Sequence, residues 1–265
     1  MNLKDNTHSY TKTYISLVST SLCGSNKKSK TMKIVITGAS SGIGFETALE
    51  LSRHTNNTVV AIARSEDKLQ KLSELVIANN PDVNLFTTTF DIVHGDYEVE
   101  LIPLLKNTIG QVDVLINNAG SLINKAFTET RQLDFVEMLQ TNLLGHVKMI
   151  QNLLPLMPPG SHIVNIGSMG GFQGSVKFPG LAGYSASKAA LHVLTECLAA
   201  ELVEQQVKVN CLALGSAQTE MLAKAFPGFE SPISAAEMGK YIANFATTGY
   251  KIFNGKILPV SITTP

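Results

Sequence analysis

Two residues, Tyr184 and Lys188, have the types and the spacing of an acid/base pair. They stand in the run Tyr184-Ser185-Ala186-Ser187-Lys188, and four positions along a helix is about one turn, so both side chains share one face. A phenol with a pKa near ~10 is a poor proton donor or acceptor at neutral pH unless a nearby cation lowers that pKa. The lysine supplies such a cation. Any amphipathic helix can contain this pair by chance, so its meaning depends on the other motifs.

A second cluster is rich in glycine and follows a short apolar run, Ile34-Val35-Ile36. Gly38 permits a tight turn, Gly42 lets the backbone come close to a pyrophosphate, and Gly44 allows a helix to pack closely on a strand. The helix that begins here offers free N–H groups and a partial positive charge to an anion. The sequence therefore predicts a dinucleotide phosphate site made by Gly38, Ser40, Ser41, Gly42, Ile43 and Gly44.

The end of the second predicted strand indicates which dinucleotide binds. A protein selective for NAD usually places Asp or Glu there to accept from the ribose 2′-hydroxyl. This chain reads Ala61-Ile62-Ala63-Arg64, and a guanidinium can hold a 2′-phosphate with paired N–H donors. Arg64 therefore favours NADP(H), with NAD(H) as the other candidate. The alternative is that Arg64 is a solvated arginine at the start of a loop.

These groups need a scaffold that brings strand ends together, and the rest of the chain predicts one. Apolar runs predict strands at Ile34–Ile36, Thr58–Ala63, Leu85–Phe90, Val112–Ile116, His162–Ile166, Val207–Leu212 and Lys256–Val260. Between them, helices are predicted up to Leu51 and over Glu66–Ala78, Tyr97–Thr108, Gln132–Leu154, Tyr184–Glu204 and Ala235–Phe245. This alternation is typical of an α/β fold with a doubly wound, mostly parallel sheet and helices on both faces, a single Rossmann-type domain. We assign it residues 32–265, after a flexible tail at 1–31 that lacks a core-forming face.

Combined with Asn117-Asn118-Ala119-Gly120 after the fourth predicted strand, these motifs make the chain resemble the short-chain dehydrogenase/reductase family, in its single-domain branch. The resemblance covers roughly Lys33 to Val260. It implies a catalytic tetrad of Asn142, Ser168, Tyr184 and Lys188. It also implies nucleotide contacts from Asp91, Ile92, Asn118, Ala119, Gly120, Gly215, Ala217 and Thr219, beside the glycine cluster, Arg64, Tyr184 and Lys188.

The activity implied by this resemblance is an oxidoreductase that transfers hydride between NADP(H) and a carbonyl or secondary alcohol. Tyr184 would give a proton to the carbonyl oxygen or take it from the alcohol, and Ser168 would hydrogen-bond the same oxygen. Lys188 would hold the nicotinamide ribose and lower the pKa of Tyr184. Asn142 would link Lys188 to solvent through its backbone carbonyl and a water.

The chain departs from the family pattern at several places. Leu214 replaces the proline usual before Gly215, and the spacing from Ser168 to Tyr184 is a few residues long. Ser41 stands where many NADP enzymes have a second basic residue, and Pro259-Val260-Ser261-Ile262 replaces an acidic-Gly-Gly ending. The alternative function is a non-catalytic redox sensor or scaffold, although such proteins usually lose the Tyr or Lys that this chain keeps. A sugar-nucleotide epimerase is disfavoured, because this chain has neither the epimerase glycine spacing nor a sizeable C-terminal substrate domain.

Composition excludes several classes of function. The 265 residues carry 21 basic and 21 acidic side chains, which argues against nucleic acid or an anionic membrane surface as a partner. Three scattered cysteines, with no clustered histidines, predict neither a disulfide framework nor a metal site. No apolar run approaches the ~18 residues of a membrane helix. We therefore expect a cytoplasmic protein.

The expected substrate pocket is largely apolar. We expect it to be lined by Ser121, Leu122, Met169, Gly170, Phe178, Leu181 and the segment from Met221 to Phe229. With no cluster of Arg or Lys to hold an anion, the expected partner is a small carbonyl or alcohol of low polarity. An acyl-carrier-protein or CoA ester is disfavoured.

Two predicted helices carry apolar residues beyond the face that would pack on the sheet, which favours association with a second copy of the chain. In the helix of Tyr184, residues Ala190, Leu194, Cys197, Leu198 and Leu202 are expected to face the sheet, with Ala189, Val193, Ala199 and Ala200 outside that stripe. In the helix of Asn142, Leu139, Leu143, Val147, Ile150 and Leu154 share one face, with Leu144 and Met149 off it. Such helices need a second partner, and the resembled family packs them in a four-helix bundle. We expect a homotetramer or at least a homodimer; the alternative is a monomer whose loops cover these helices.

Overall fold

The apolar runs form the strands of a parallel sheet in the computed structural model, which describes residues 31–262. The strands are β1 (Met32–Thr37), β2 (Asn57–Ala63), β3 (Asn84–Thr89), β4 (Val114–Asn117), β5 (His162–Ser168), β6 (Lys208–Leu214) and β7 (Ile257–Val260). Their order is β3-β2-β1-β4-β5-β6-β7, and every neighbouring pair is parallel. The order reverses between β1 and β4, so a crevice opens at the carboxyl ends of these strands. The predicted fold class is confirmed.

Helices connect the strands as predicted, with ends that differ by a few residues, except that the first part of the helix predicted over Tyr97–Thr108 is a π-helical turn at Tyr97–Leu101. They are α1 (Gly42–Ser52), α2 (Glu66–Asn79), α3 (Ile102–Thr108), α4 (Gln132–Leu139), α5 (Gly145–Leu153), α6 (Ala182–Glu201), α7 (Glu220–Ala225) and α8 (Ala235–Thr248). The short helix α7 was not predicted, because six residues show too little periodicity to be recognised.

Helices cover both faces of the sheet, and successive side chains of each strand point to opposite faces. On one face, Ile34 and Ile36 of β1 pack with α1, α2 and α8. On the other face, Val35 packs with residues of α3, α5 and α6. The helices cover the two faces of the sheet but not its carboxyl edge, where the loops that carry the predicted site lie.

The single helix predicted over Gln132–Leu154 is wrong in one respect. The structure divides it into α4 and α5, joined by a π-helical turn at Gln140–Leu144 in which the N–H of Gly145 bonds the carbonyl of Gln140. Single π-helical turns inside helices occur frequently at functional sites, and this one contains Asn142.

The buried face of α6 also differs from the prediction. Buried residues of this helix are Gly183, Ser187, Lys188, Leu191, His192, Thr195 and Ala199, whereas Cys197 is exposed and Ala190, Leu194 and Leu198 are only partly buried. Polar side chains occupy the inner face because they have partners there: Asn165 of β5 donates to the Thr195 hydroxyl at 2.9 Å. Hydrogen bonding therefore overrides the apolar stripe that the sequence suggested.

The face predicted for the Asn142 helix is corrected in the same way. Met149, placed off the main face by the sequence, is fully buried, whereas Leu143 and Val147 are only partly so. Ile150 is buried as predicted. The π turn rotates α5 relative to α4, so a single helical stripe does not run through both.

The tail predicted at residues 1–31 lies, apart from Thr31, outside the described residues. Within residues 31–262, none of the helices has both the length and the apolar character needed to cross a bilayer. Histidines, cysteines and carboxylates of the same residues form no group of three or more suited to a metal ion.

Candidate active site

The glycine-rich turn links β1 to α1 and can accept few side chains. Gly38 and Gly42 have φ values of +70° and +56°, a region that favours glycine. A Cβ on Gly38 would lie 2.7 Å from the Cα of Ala119, and one on Gly44 would overlap the carbonyl of Gly38. Ser41 precedes α1 without capping its amides through the side chain. These N–H groups therefore face the crevice with room for an anion.

Asn118 holds this turn in place from the neighbouring strand. Its side-chain amide donates to the carbonyls of Thr37 and Gly38, at 3.0 and 3.2 Å. In return, the Thr37 hydroxyl accepts from the backbone N–H groups of Asn118 and Ala119. The two strand ends at the switch point are thus joined, which positions the glycine-rich turn against the Asn117–Gly120 segment.

Ser168 and Tyr184 meet at the centre of the crevice. Ser168 is the last residue of β5, and its hydroxyl lies near enough to the phenol of Tyr184, in the first turn of α6, to lower the Tyr184 pKa in part. The long loop between them is taken up by the turn Met169–Gly171 and an irregular stretch, so the unusual spacing does not separate the two side chains. The Ser168 hydroxyl also accepts from the N–H of Gly170 at 3.1 Å, which orients it.

Lys188 lies one turn beyond Tyr184 and is almost fully buried. Its ammonium group donates to the carbonyl of Ile166 at 2.7 Å and lies 6.0 Å from the centre of the Tyr184 ring. Burial lowers the pKa of Lys188 to about 8, because the charged form loses its hydration. The group is still mostly protonated at neutral pH.

Burial has the largest effect on the pKa of Tyr184. Burial raises it above its usual value near 10, and the hydrogen bond with Ser168 only partly opposes that rise. The loss of hydration around the phenol therefore dominates its pKa, and the lowering expected from Lys188 stays a prediction. Tyr184 is a neutral phenol at physiological pH, which is the form that donates a proton.

Asn142 lies behind the crevice and is fully buried. Its side-chain carbonyl accepts from the N–H of Ser121, and its amide donates to the carbonyl of Ser121 and to the hydroxyl of Ser187, all at 2.8–2.9 Å. The Ser187 hydroxyl in turn donates to the carbonyl of Tyr184. Asn142 thus connects the segment after β4 to the first turn of α6.

A cavity of about 1300 Å³ covers the carboxyl edge of the sheet. Every predicted site residue lines it except Asn142: the glycine cluster, Arg64, Asp91, Ile92, Asn118, Ala119, Gly120, Ser168, Tyr184, Lys188, Gly215, Ala217 and Thr219 all do. The structure therefore gathers in one cavity the residues that are spread over β1, β2 and the ends of β3 to β6.

The far end of this cavity is built by the loop after β6. Leu214, which replaces the family's usual proline, continues β6 as the partner of Ser168 in β5 and Val260 in β7. Thr219 caps α7 by accepting from the N–H of Leu222 at 3.1 Å. A Cβ on Gly42 would lie 3.2 Å from the Thr219 methyl group, so the loop after β6 approaches the glycine-rich turn.

Arg64 and Asp91 line the cavity just after the ends of β2 and β3. Arg64 is exposed and makes no ion pair with any other part of residues 31–262, which leaves its guanidinium available. The Asp91 carboxylate accepts from the backbone N–H groups of Val93 and His94, at 2.8 and 3.3 Å, and so shapes the turn after β3.

Several lining residues were missed by sequence reasoning. Glu137, Gln140 and Thr141 reach the cavity from the end of α4 and the π turn, and Val176 and Glu230 reach it from loops. Nothing in their local sequence marks them, because a helix surface next to a cavity resembles any solvated helix surface. Most of the predicted substrate-pocket residues, Ser121, Leu122, Met169, Gly170, Phe178 and Leu181 among them, do line the cavity.

The cavity fits a nicotinamide dinucleotide. Its volume exceeds the roughly 300–1,000 Å³ common for a single small ligand, leaving room for a substrate. The helix start with free amides and the glycines that exclude a Cβ match a pyrophosphate. Lys188, Ser168 and Tyr184 add a cation and two hydroxyl groups to the wall of the same cavity.

The amino-acid sequence is similar to those of short-chain dehydrogenases and reductases. The sequence profile described as short chain dehydrogenase matches residues 32–228. A 3-oxoacyl-[acyl-carrier-protein] reductase of Staphylococcus epidermidis is 33% identical over 189 residues, which span 71% of this chain and 75% of that protein.

Solved structures show the same fold. A short-chain dehydrogenase from Shigella flexneri 2a, complexed with NADP, has a TM-score of 0.77 and 25% identity, covering 87% of this chain and 97% of that one. A 3-ketoacyl-(acyl-carrier-protein) reductase from Brucella melitensis, complexed with NADH, has a TM-score of 0.75 and 21% identity, covering 87% and 97%.

Proposed function

The chain belongs to the short-chain dehydrogenase/reductase family, and from that premise we propose that it transfers hydride between NADP(H) and a carbonyl or secondary alcohol, with Tyr184 as the acid/base. The observation that carries the proposal is the convergence of the Ser168 hydroxyl, the Tyr184 phenol and the ammonium of Lys188 on one cavity. A pair of convergent hydroxyls is suited to bind one carbonyl oxygen.

The proton step belongs to Tyr184. Because burial raises its pKa, the phenol is protonated at neutral pH and can donate to the oxygen of a carbonyl under reduction. Ser168, oriented by the N–H of Gly170, donates a second hydrogen bond to that oxygen and stabilises the charge that develops on it. In the reverse direction Tyr184 receives the proton of the alcohol.

Lys188 and Asn142 support that step. The ammonium group of Lys188 is held by its hydrogen bond to the Ile166 carbonyl. We assign its other N–H donors to the hydroxyls of the nicotinamide ribose. Asn142 is held by Ser121 and Ser187 within the π turn. We propose that its backbone carbonyl, in this widened turn, orders a water through which Lys188 exchanges protons with solvent.

The nicotinamide, when bound, supplies or accepts the hydride. We assign its pyrophosphate to the amides of the Gly38–Gly44 turn, its adenine to Asp91 and Ile92, and its carboxamide to Thr219. Arg64 supports NADP(H) over NAD(H), because its exposed guanidinium has no carboxylate partner within residues 31–262 and no acidic residue ends β2.

The substrate we propose is an uncharged carbonyl compound of low polarity. The cavity that Ser168 and Tyr184 line also presents Leu122, Met169 and Leu181, together with the more exposed Phe178 and Phe229. Among described residues the only Lys or Arg side chains that line it are Lys188 and Arg64, which we assign to the cofactor. Glu137 and Glu230 also line it, and their negative charge disfavours the phosphate-bearing arm of an acyl carrier protein or CoA.

We propose that this activity resides in a homotetramer or homodimer in the cytoplasm. Leu133 and Val136 of α4, Leu144 of the π turn and Val193 of α6 are all exposed. Apolar side chains concentrated on two adjacent helices favour a second copy as the partner. The few scattered cysteines support a reducing compartment.

A substrate panel tests the proposed function. Purified protein is incubated with NADPH or NADH and a set of aliphatic, aromatic and cyclic ketones and aldehydes, and the loss of reduced-nicotinamide absorbance is followed. We expect turnover of uncharged ketones with NADPH and little with acyl-CoA esters. Tight NADPH binding without turnover of any compound would instead favour a non-catalytic sensor or scaffold.

A further inference from the structure

The helix α7 and its flanking residues form a cover over the cavity. We define the cover as residues 219–226, of which Thr219, Glu220, Met221, Leu222 and Phe226 line the cavity wall. It extends from Thr219, beside the glycine turn, towards the substrate side. The cover therefore crosses both halves of the site, and it is attached at each end to a different part of the fold.

One attachment is an ion pair to the cofactor side. Glu220, the first residue of α7, lies 3.0 Å from the ammonium group of Lys68 in the first turn of α2. The helix α7 follows β6 and α2 follows β2, and these two strands are separated by β1, β4 and β5 in the sheet. At about 4.8 Å per strand, β2 and β6 lie roughly 19 Å apart. The two side chains therefore meet across the carboxyl edge of the sheet.

The second attachment is on the substrate side. The amide of Asn124 donates to the carbonyl of Ala225, the last residue of α7, at 2.7 Å. A Cβ on Gly180 would overlap the Asn124 side chain, and the N–H of Lys125 donates to the carbonyl of Gly180 at 3.1 Å. Asn124 thus lies where the segment after β4, the loop before α6 and the cover come together.

We propose that Lys68 and Asn124 are positioning residues that hold the cover closed, so that cofactor exchange requires the Lys68–Glu220 ion pair to break. This inference rests on the proposed function for its cofactor, but the two attachments are features of the chain itself. Neither residue touches the reacting atoms; both act through the position of α7.

The strength of the ion pair suits an attachment that must open and close. Both side chains are partly solvated, Lys68 at 38% exposure and Glu220 at 76%, and exposed ion pairs stabilise only weakly and are screened by salt. The cover therefore opens often enough to exchange ligand, and it opens more often as the salt concentration rises.

Amide hydrogen exchange tests the attachments directly. The readouts are the amides of Leu222, Ala223 and Phe226, which hydrogen-bond Thr219 or Leu222 within the cover. We expect Lys68→Met and Glu220→Gln to speed exchange at these amides about two- to five-fold at low salt. The charge-swapped variant Lys68→Glu/Glu220→Lys should restore slow exchange, and Asn124→Ala should speed it independently.

NADPH release, measured by displacement in a stopped-flow instrument, gives the second readout. Release should accelerate by a similar factor in Lys68→Met and lose its salt dependence. Arg53→Met is the matched control, because it breaks the Glu50–Arg53 ion pair of 2.6 Å away from the cavity and should change neither readout.

Unchanged exchange and release in Lys68→Met, or failure of the charge swap to restore them, would overturn the proposal. If no nicotinamide nucleotide binds at all, the proposed function fails, and the exchange rates of the cover still decide whether Lys68 and Asn124 hold it.

Discussion

At the scale of single residues, the chemistry assigned here depends on the Tyr184 hydroxyl. Tyr184→Phe keeps the packing of the ring and removes the proton donor, so we expect turnover to fall to background while NADPH affinity stays within about two-fold. Steady-state rates and fluorescence titration with NADPH measure the two quantities. Tyr241→Phe, on the exposed surface of α8, is the control. A Tyr184→Phe variant that kept most of its rate would show that another group is the acid.

Cofactor preference is also a residue-scale property. Arg64→Asp places a carboxylate at the end of β2, where it repels a 2′-phosphate and can accept from a free 2′-hydroxyl. We expect the ratio of kcat/KM for NADPH over NADH to fall at least ~10-fold. Arg53→Asp, at the end of α1, controls for the change in net charge. An unchanged ratio would mean that Arg64 is merely a solvated arginine.

At the scale of elements, polar contacts decide how helices attach to the sheet. In α6 the inner face carries Lys188 and Thr195, each bonded to a group of β5. His162 of β5 plays a similar part for α8. Its Nδ1–H donates to the carbonyl of Ala246 at 2.9 Å, and its Nε2 accepts from the amide of Asn210 in β6 at 3.0 Å. The ring must be neutral to make both bonds.

This requirement predicts a pH dependence of stability. Burial lowers the pKa of His162 from 6.5 to about 4, so between these values the unfolded chain binds a proton that the folded chain does not. Stability therefore falls as the pH drops below about 6.5. We expect His162 to account for about 2 kcal/mol of the loss between pH 8 and pH 5.

Urea unfolding of wild type and His162→Gln at both pH values measures that contribution. Glutamine cannot take up a proton, so the variant, although less stable at pH 8, should lose less on acidification. The buried histidines His146 and His192 have lowered pKa values as well, and the difference between wild type and variant cancels their effect. Equal losses in the two proteins would contradict the assignment.

At the scale of the whole molecule, exposed apolar side chains on α4 and α6 predict assembly. Light scattering coupled to size exclusion should give the mass of a dimer or tetramer at micromolar protein. Val193→Glu places a charge on the exposed face of α6 and should shift the mass towards a smaller species. Val99→Glu, at a still more exposed valine outside these helices, should leave the mass unchanged. A monomer mass for wild type would rule out the assembly.

The sequence by itself determined the fold class, the strand–turn–helix at Gly38–Gly44 and the pairing of Tyr184 with Lys188. These features are local: they depend on the φ range of glycine, on the buried apolar runs and on the turn of a helix, all within a few residues. They could therefore be predicted before any tertiary contact was known.

Only the tertiary structure decided which distant groups meet. It brought Ser168 to Tyr184 across a long loop, placed Asn142 in a π turn against Ser187, and turned Lys188 and Thr195 inward. It also paired Lys68 with Glu220, 152 residues apart. Such contacts depend on the packing of several elements and on the cost of leaving buried polar groups unpaired, and neither can be read from a local stretch of sequence.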